Sequence, residues 1–287
     1  MKVVIASGKG GTGKTFFSVN LARALDRELL LLDCDVEEPN VALFTKGELI
    51  KEREATLLIP QVDLNICDGC RVCADVCEFN AIAVIGGEPL IFEDLCHGCG
   101  ACALYCPQKA ISEIPYRVGV VKHYKAGKIS LIEGRLDVGK ALAVPVIREV
   151  KRDAQAQRDT LTLLDSPPGT SCPVVWSLTG CDAAVLVAEG TPFGMHDLKL
   201  AVETVKEVGL PFGVVINRDG LGDERIADYC RSQGIPVLGR IPNDREIARL
   251  YAQGEIVVDH LEKYRTLFRE IWENIENTLG ERYGSAK

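Results

Sequence analysis

Short apolar segments alternate with segments of helical character along most of the chain. The segment KVVIA (2–6) is followed by a glycine-rich loop, and then by Phe17, Leu21 and Leu25 at helical spacing. The later apolar runs are LLLLD (29–33), TLTLLD (160–165), AAVLVAE (183–189), FGVVIN (212–217) and IPVLGRIP (235–242). Strands that are apolar throughout and joined by helices are typical of a mostly parallel sheet covered by helices on both faces. We therefore predict an α/β fold.

The last part of the chain predicts an amphipathic helix over 260–279. One stripe of this helix carries Leu261, Tyr264, Phe268, Ile271, Ile275 and Leu279. The opposite face mixes Glu, Arg and Asn and is not basic, so we expect the helix to pack on the sheet rather than to lie on a membrane.

The alternation breaks at about 62–114, where Cys, Gly, Asp and Glu dominate. Two half-units there resemble each other, CDGCRVCADVCEFNAI and CHGCGACALYCPQKAI. Each reads Cys-x2-Cys-x2-Cys-x3-Cys, with Ala-Ile starting four residues after the last cysteine. We interpret this internal repeat as a small inserted α+β domain at 62–114, flanked by a larger domain formed by 1–61 and 115–287.

Composition limits the classes of partner. The formal net charge of −8 gives no overall reason to expect nucleic-acid binding. The one basic run, between Arg117 and Lys128, is broken by Gly and Val and is interpreted as a solvated turn. Neither a signal peptide nor a run of transmembrane length is visible, so we expect a cytoplasmic protein without membrane insertion. Disulfides are rare in that compartment, so the twelve cysteines need another explanation.

The segment SGKGGTGKT (7–15) carries a phosphate-binding motif between a predicted strand and a predicted helix. Its glycines allow consecutive backbone N–H groups to turn toward a phosphate, and the helix N-terminus adds its dipole. Lys14 is expected to reach the β- and γ-phosphates, and the Thr15 hydroxyl to ligate Mg²⁺. The whole motif, Gly8-x4-Gly13-Lys14-Thr15, in this context predicts a P-loop NTPase fold.

The additional lysine in KGGTGKT, Lys9, resembles the signature of the deviant P-loop of the MinD/ParA family, which includes the nitrogenase iron protein and Mrp-type ATPases. In that family this lysine reaches the partner subunit's nucleotide. The resemblance implies a homodimer on ATP binding, with two nucleotides between the subunits.

Four further segments resemble motifs of that family. LLDCDVEEPN resembles switch I, which implies that Asp35 positions or activates the attacking water and that Asn40 shapes the loop. LLDSPPG resembles switch II, with Asp165 at the Mg²⁺ shell. VVINRDG and GRIPND resemble the segments that contact adenine, and because position 220 is Gly, ATP is favoured over GTP. The implied nucleotide-binding residues are Gly8, Lys9, Gly10, Gly11, Thr12, Gly13, Lys14, Thr15, Phe16, Asn217, Arg218, Pro242 and Asp244, and the implied catalytic ones are Lys9, Lys14 and Asp35.

The two cysteine runs are the bacterial ferredoxin signature, in which the fourth cysteine of each run ligates the other cluster. They predict two [4Fe–4S] clusters with complete thiolate shells. The first set is Cys67, Cys70, Cys73 and Cys106, and the second is Cys77, Cys96, Cys99 and Cys102. Zinc binding is the alternative for any single Cys-x2-Cys pair, but the doubled spacing of eight cysteines favours the clusters.

Several residues near these motifs need an interpretation of their own. Glu78 stands where the pattern has proline, and a carboxylate there is expected to lower the potential of the nearby cluster. His97 is interpreted as a neighbour of the cluster and not a ligand. Cys34, Cys181 and Cys230 are expected to be buried packing residues. For Cys172, packing and a redox or metal contact in the ATP-bound dimer both remain open.

Three functions remain as hypotheses. The favoured one is an ATPase, slow or stimulated by a partner, that dimerises on MgATP and couples its nucleotide state to electron transfer toward an unknown redox protein. The second is a MinD/ParA-like positioning regulator with sensory or structural clusters, which the absence of a basic surface disfavours. The third is a cluster carrier of Mrp type, which the complete ligand sets disfavour.

Overall fold

The computed structural model describes residues 1–157 and 160–280. The chain forms two compact units. The described part of the first contains residues 1–52, 121–135, 147–157 and 160–280, and the second contains residues 53–120 and 136–146. The second unit is thus longer than the segment 62–114 that was predicted as the insert.

The chain alternates strands and helices in order. The strands are β1 (Lys2–Ala6), β2 (Leu29–Asp33), β3 (Glu48–Val62), β4 (Ile82–Ile85), β5 (Glu88–Ile91), β6 (Ile111–Ala126), β7 (Ile129–Leu136), β8 (Thr162–Asp165), β9 (Ala183–Glu189), β10 (Phe212–Asp219) and β11 (Val237–Pro242). The helices are α1 (Lys14–Ala24), α2 (Val41–Thr45), α3 (Val72–Asp75), α4 (Ala101–Tyr105), α5 (Ala143–Ala154), α6 (Cys172–Leu178), α7 (Pro192–Val208), α8 (Arg225–Gln233), α9 (Arg245–Ala252), α10 (Val257–His260) and α11 (Glu262–Ile275).

Nine strands of the described chain form one sheet. Its order is β11-β10-β9-β1-β8-β2-β7-β6-β3. The pairs β1–β8, β1–β9, β2–β8, β2–β7, β9–β10 and β10–β11 are all parallel. Because parallel strands present their carboxyl ends at the same edge, the loops after β1, β2 and β8 lie side by side. The predicted α/β fold with a mostly parallel sheet is confirmed.

Both faces of the central strands are buried. On one face, Val3, Ile5, Leu29 and Leu31 join a core that includes α1 and α11. The alternate residues of these strands, such as Val4 and Leu30, are also inaccessible to solvent. The C-terminal stripe lies in that core as predicted, since Phe268, Ile271, Ile275 and Leu279 are buried in it. The α-helix ends at Ile275 and is followed by a π-helical turn, Glu276–Gly280.

Strands β3, β6 and β7 were missed by the sequence analysis. They carry many polar side chains, and therefore lack the continuous apolar pattern of the central strands. The interpretation of the basic run as a solvated turn is wrong for most of its length, because residues 111–126 form β6. Its cations are paired with carboxylates: Arg117 with Asp137, Lys122 with Glu52, His123 with Asp153, Lys125 with Glu28 and Lys128 with Asp26.

The second unit combines parts of β3 and β6 with a small antiparallel hairpin, β4–β5, and two short helices, α3 and α4. Its α3–α4 core is small, with Cys73, Ile82 and Cys102 as the buried members. In residues 1–157 and 160–280, no helix is long and apolar enough to cross a membrane.

Candidate nucleotide site and two cysteine pockets

The P-loop occupies the connection between β1 and α1, at the carboxyl edge of the sheet. Gly13 stands before α1 with φ of 91°, a backbone conformation that a side chain rarely adopts. A Cβ at Gly13 would also lie 2.3 Å from Nδ2 of Asn217. Glycine is therefore required both by the turn and by the close approach of β10.

A cavity of about 400 Å³ opens beside this loop, within the size range of small-molecule sites. Eleven of the predicted site residues line it, namely Gly10, Gly11, Gly13, Lys14, Thr15, Phe16, Asp35, Asn217, Arg218, Pro242 and Asp244. The loops after β1, β2, β10 and β11 thus contribute to one site.

One buried cation of the P-loop, Lys14, indicates which chemistry fits the cavity, whereas the buried hydroxyl of Thr12 does not line it. The Oγ1 atom of Thr12 is buried and has no hydrogen-bond partner among the described residues. Lys14 is 6% exposed, lines the cavity, and its ammonium group forms no ion pair within the described chain. Because an unpaired buried cation is costly, a phosphate is the complement that this loop lacks.

Asp165, at the end of β8, holds two hydroxyl groups of α1. Thr15 donates to its Oδ2 at 2.6 Å, and Ser18 donates to its Oδ1 at 3.0 Å. Burial raises the pKa of Asp165, while Lys14 and the two hydroxyl donors oppose that rise. With its proton directed at Asp165, the Thr15 oxygen keeps its lone pairs free toward the cavity, and this donor set suits Mg²⁺.

Asp35 lines the cavity from the loop after β2. Burial raises its pKa to about 6, and the carboxylates of Asp165, Glu38 and Glu37 act in the same direction, whereas Lys14 opposes them. A carboxylate with a pKa near neutrality is well suited to hold or accept a proton from a water molecule.

Asp33 is a residue that the sequence analysis did not assign to the site. Its carboxylate accepts hydrogen bonds from the backbone N–H groups of Asp35, Asn40 and Val41, at 3.0–3.2 Å. Burial and the carboxylate of Asp165 raise its pKa well above the ordinary value. Asp33 fixes the course of the loop that carries Asp35. The sequence signal that could have assigned Asp33 to the site was its position at the end of the apolar run LLLLD, which matches the position of Asp165 in TLTLLD.

The opposite end of the cavity is formed by β10, β11 and α9. Nδ2 of Asn217 donates to the Thr12 carbonyl at 2.7 Å, which links β10 to the P-loop. Arg218 has φ of 54° and pairs with the buried Glu189 at 2.8 Å. Asp244 caps α9 by accepting from the backbone N–H of Glu246 at 2.8 Å.

An aromatic group on this side was also missed. Tyr251 lines the cavity from α9, stacks on Phe44 with ring centroids 4.9 Å apart, and meets the edge of Phe16 at 5.8 Å. Ile247, one turn earlier, lines the cavity as well. The i, i+4 spacing of these two residues after GRIPND was the signal for this apolar wall.

Gly8, Lys9, Thr12 and Asp165 are not brought to the cavity surface. Nζ of Lys9 lies 3.8 Å from Oδ2 of Asp197 on α7, and its side chain is 34% exposed. A Cβ at Gly8 would collide with the backbone carbonyl of Asp197, at 1.9 Å. The start of the loop is therefore packed against α7, and Lys9 is directed away from the cavity of its own chain. The roles assigned to all these residues stay predictions.

The eight cysteines of the repeat separate into two sets of four in the second unit. The first cysteine pocket is lined by Cys67, Cys70, Cys73 and Cys106, and the second cysteine pocket by Cys77, Cys96, Cys99 and Cys102. Each set combines three cysteines of one half-unit with the last cysteine of the other.

Backbone amides surround the sulfur atoms of both pockets. The N–H groups of Ala81, Gly98 and Ala110 donate to the sulfur atoms of Cys77, Cys96 and Cys106, at 3.3–3.4 Å. In the described residues, no three His, Cys, Asp or Glu side chains converge closely enough to hold a metal ion.

The other four cysteines lie in the first unit. Cys34, Cys181 and Cys230 are buried, as expected for packing residues. Burial raises the pKa values of the Cys181 and Cys230 thiols to about 11. Cys172 begins α6 and is exposed, so neither of its two interpretations is decided.

The fold and the P-loop cavity define a nucleotide-binding protein. The chain belongs to the CobQ/CobB/MinD/ParA nucleotide binding domain family, which residues 3–258 match, and is a P-loop ATPase of the MinD/ParA type. Among solved structures, it is similar to the septum site-determining protein MinD of Pyrococcus horikoshii in complex with Mg-ADP. The TM-score is 0.60 at 20% identity, over 96% of each chain.

Relatives of known sequence extend over the second unit as well. An uncharacterized protein of Methanocaldococcus jannaschii is 30% identical over 285 residues, which is 97% of this chain and 97% of that protein. An iron-sulfur cluster carrier protein of Aquifex aeolicus is 26% identical over 282 residues, 90% of this chain and 62% of the carrier.

Proposed function

We propose that the protein is an iron–sulfur ATPase that forms a homodimer on binding MgATP. Its nucleotide state is coupled to electron transfer toward a redox partner through two [4Fe–4S] clusters. The observation that carries this proposal is the grouping of the cysteines, because each pocket collects the four residues that the ferredoxin signature assigns to one cluster.

The arrangement of the thiols supports a cluster over a single ion. Around one zinc ion, four sulfur atoms lie about 2.3 Å from the metal and so within roughly 4 Å of one another. In a four-iron cluster each thiolate binds a different iron, so the sulfur atoms are farther apart. The doubled spacing of the eight cysteines, with four lining each pocket, matches the cluster signature. The N–H groups directed at sulfur suit thiolate ligands.

The small core of the second unit also fits a metal-stabilised fold. Cys73 and Cys102 are two of its three buried members around α3 and α4. A domain with so small a core gains stability from a bound metal. When bound, the clusters supply one-electron transfer, and the cysteines hold them. Reduced thiols fit the cytoplasm as the proposed compartment.

On the nucleotide side, each residue has a proposed task. Lys14 and the P-loop amides hold the phosphates, and Thr15 with Asp165 holds Mg²⁺. Asp35 orients the attacking water. Lys9 points away from the cavity of its own chain, which fits a role at the nucleotide of a second subunit. Because hydrolysis then requires the dimer, we expect turnover to be slow or stimulated by a partner.

A cluster carrier is the second candidate, since the curated relative from Aquifex aeolicus is named an iron-sulfur cluster carrier protein. Complete sets of four cysteines favour retention of the clusters, and therefore electron transfer. A transfer assay separates the two: an apo-acceptor that gains iron while this protein loses it would favour the carrier.

The test begins with iron and sulfide analysis of anaerobically purified protein. Two clusters require about eight iron atoms per chain, and a value of about four, or zinc in place of iron, would contradict the proposal. Cluster potentials and electron-transfer rates are then measured with and without MgATP. If MgATP changes neither the potentials nor the rates, nucleotide does not control electron transfer through the clusters, and a sensory or structural role for them is favoured instead.

A further inference from the structure

The repeat allows the two cysteine pockets to be compared position by position. Arg71 and Gly100 each follow the second cysteine of their half-unit, and each stands directly before a short helix. Their backbones are nearly the same, with φ and ψ of 71° and −4° at Arg71 and of 73° and −2° at Gly100. The fold therefore repeats, while the first pocket has a cation where the second has no side chain.

A second pair of equivalent positions differs by a charge of the opposite sign. Val84 and Glu113 are each three residues beyond the alanine that follows the last cysteine of their half-unit. Val84 lines the first pocket and Glu113 lines the second. The carboxylate of Glu113 lies 3.4 Å from the position that a Cβ of Gly100 would occupy. Neither Arg71 nor Glu113 has an ion-pair partner in the described chain.

The residues that connect the half-units differ as well. At the first pocket, Gln108 donates a hydrogen bond to Asp68 at 2.9 Å. At the second, the equivalent residues Phe79 and His97 stack with ring centroids 3.7 Å apart and planes 8° apart. One pocket is thus flanked by a polar pair and the other by an aromatic pair.

The other charged residues near the two pockets do not reverse the difference in charge that Arg71 and Glu113 produce. Asp68 offsets Arg71, so these two charges in the lining of the first pocket sum to zero, whereas the carboxylate of Glu113 lines the second pocket. Lys140 lines a small cleft beside Cys96, but it is ion-paired with Asp94 at 2.8 Å. An added electron is disfavoured beside a negative charge, so the carboxylate of Glu113 lowers the potential expected at the second pocket.

We infer that the two cluster sites are electrochemically unequal, and that Arg71 and Glu113 set the order in which they are reduced. The cluster of the first cysteine pocket accepts an electron first, and the cluster of the second has the lower potential. An electron on the second cluster therefore passes to the oxidised first cluster, with no change in ligands or protons. This inference rests on the proposed function, because it requires two clusters.

Two substitutions test the inference by exchanging residues between the half-units. Arg71→Gly installs the residue that already occupies this backbone conformation at position 100, and Glu113→Val installs the residue found at position 84. Reductive titration with dithionite and mediators, followed by electron paramagnetic resonance at low salt and pH 8, resolves the two steps in the wild type.

Arg71→Gly is expected to lower the potential of the first step only, and Glu113→Val to raise that of the second step only. Each should change the equilibrium between the clusters by about fivefold, the effect of one exposed unit charge at close range, and the change should shrink as salt is added. The double variant should bring the two steps together. Asp75→Asn, which removes an exposed charge of α3 that lines neither pocket, is the matched control.

Two results would overturn the inference: coincident steps in the wild type, or shifts of the same sign in the two variants. Failure of the proposed function has a different signature, since the wild-type protein would then lack the iron and the resonance signals of two clusters. If the protein holds eight iron atoms per chain but substitutions of Arg71 and Glu113 do not change the order in which the clusters are reduced, the inference is refuted and the proposed function is not.

Discussion

The hydroxyl of Thr15 donates a 2.6 Å hydrogen bond to Oδ2 of Asp165 across 150 positions of sequence. This bond joins the first helix after the P-loop to the end of β8, and Ser18 adds a second bond to the same carboxylate. The hydroxyl that we propose as a magnesium ligand is therefore oriented by a buried acid. Its geometry leads directly to a first test of the site.

Replacing Asp165 with Asn is expected to weaken Mg²⁺-dependent nucleotide binding by roughly 10- to 100-fold, because the group that orients Thr15 loses its charge. Titration of a fluorescent ATP analogue, with and without Mg²⁺, measures the effect. Ser18→Ala is the control, since it removes one hydrogen bond and keeps the carboxylate, and should cost about fivefold at most. An unchanged Mg²⁺ affinity in the Asp165→Asn variant would place the metal elsewhere.

Asp35 predicts the pH dependence of turnover. Its pKa is raised to about 6, mainly by burial, and only the ionised carboxylate can orient or activate water. We expect kcat/KM for ATP to fall as pH drops, to about half at pH 6 and roughly one tenth at pH 5. Asp35→Asn should remove turnover and keep MgATP binding. A rate that is independent of pH from 5 to 8 would contradict this role.

The same carboxyl group predicts a change in stability. Since its folded pKa lies above the ordinary value of 3.8, the folded state binds more protons than the unfolded state between about pH 4 and 6. The free energy of unfolding should therefore decrease as pH rises through this window. Asp35→Asn should raise the melting temperature of the nucleotide-free protein at pH 8 and change it little at pH 4.

The two lysines of the P-loop should have separable effects. Lys14 lines the cavity, so Lys14→Ala is expected to abolish ATP binding. Lys9 points toward Asp197, so Lys9→Ala should leave nucleotide binding within about threefold and block dimerisation on MgATP. Light scattering with and without MgATP measures the dimer. Asp197→Asn, which frees Lys9 without removing it, should still dimerise, and a dimer unaffected by Lys9→Ala would count against the sandwich arrangement.

Iron removal should affect the two units differently. If the clusters complete the small core around Cys73, Ile82 and Cys102, then chelation should increase hydrogen exchange in residues 53–120 and leave MgADP affinity unchanged. Cys73→Ala should lower the iron content to about four atoms per chain or fewer. Cys172→Ala, outside both pockets, is the control and should keep all the iron. Unchanged exchange after iron loss would mean that the second unit is stable without metal.

The central sheet could be predicted from the sequence because its strands are buried on both faces, and burial leaves a continuous apolar run. Runs such as LLLLD and AAVLVAE are the strands β2 and β9. The strands β3 and β6 were missed because exposed positions interrupt their apolar pattern, and β7 was missed because Ser130, Glu133 and Gly134 interrupt it. The basic residues of β6 also hid a strand whose cations are ion-paired.

The candidate site was predictable where a motif specifies a backbone shape, as in the P-loop. The site was not predictable where tertiary packing determines which side chains reach it. Asp33 acts by accepting backbone hydrogen bonds from its own loop, and Tyr251 reaches the cavity because α9 folds back beside Phe16 and Phe44. Both depend on contacts between distant segments, which local spacing does not encode.

Two glycines of the P-loop provide a final test, because their surroundings differ sharply. Gly13 has φ of 91°, and a Cβ there would lie 2.3 Å from Asn217. Gly13→Ala is expected to destabilise the protein by roughly 1 to 3 kcal/mol from backbone strain alone, and to displace Asn217 from the Thr12 carbonyl. Gly10→Ala meets no atom within 4 Å of its Cβ and should leave the melting temperature nearly unchanged. Thermal unfolding of both variants measures the difference, and equal melting temperatures would show that Asn217 does not hold the loop in the turn described.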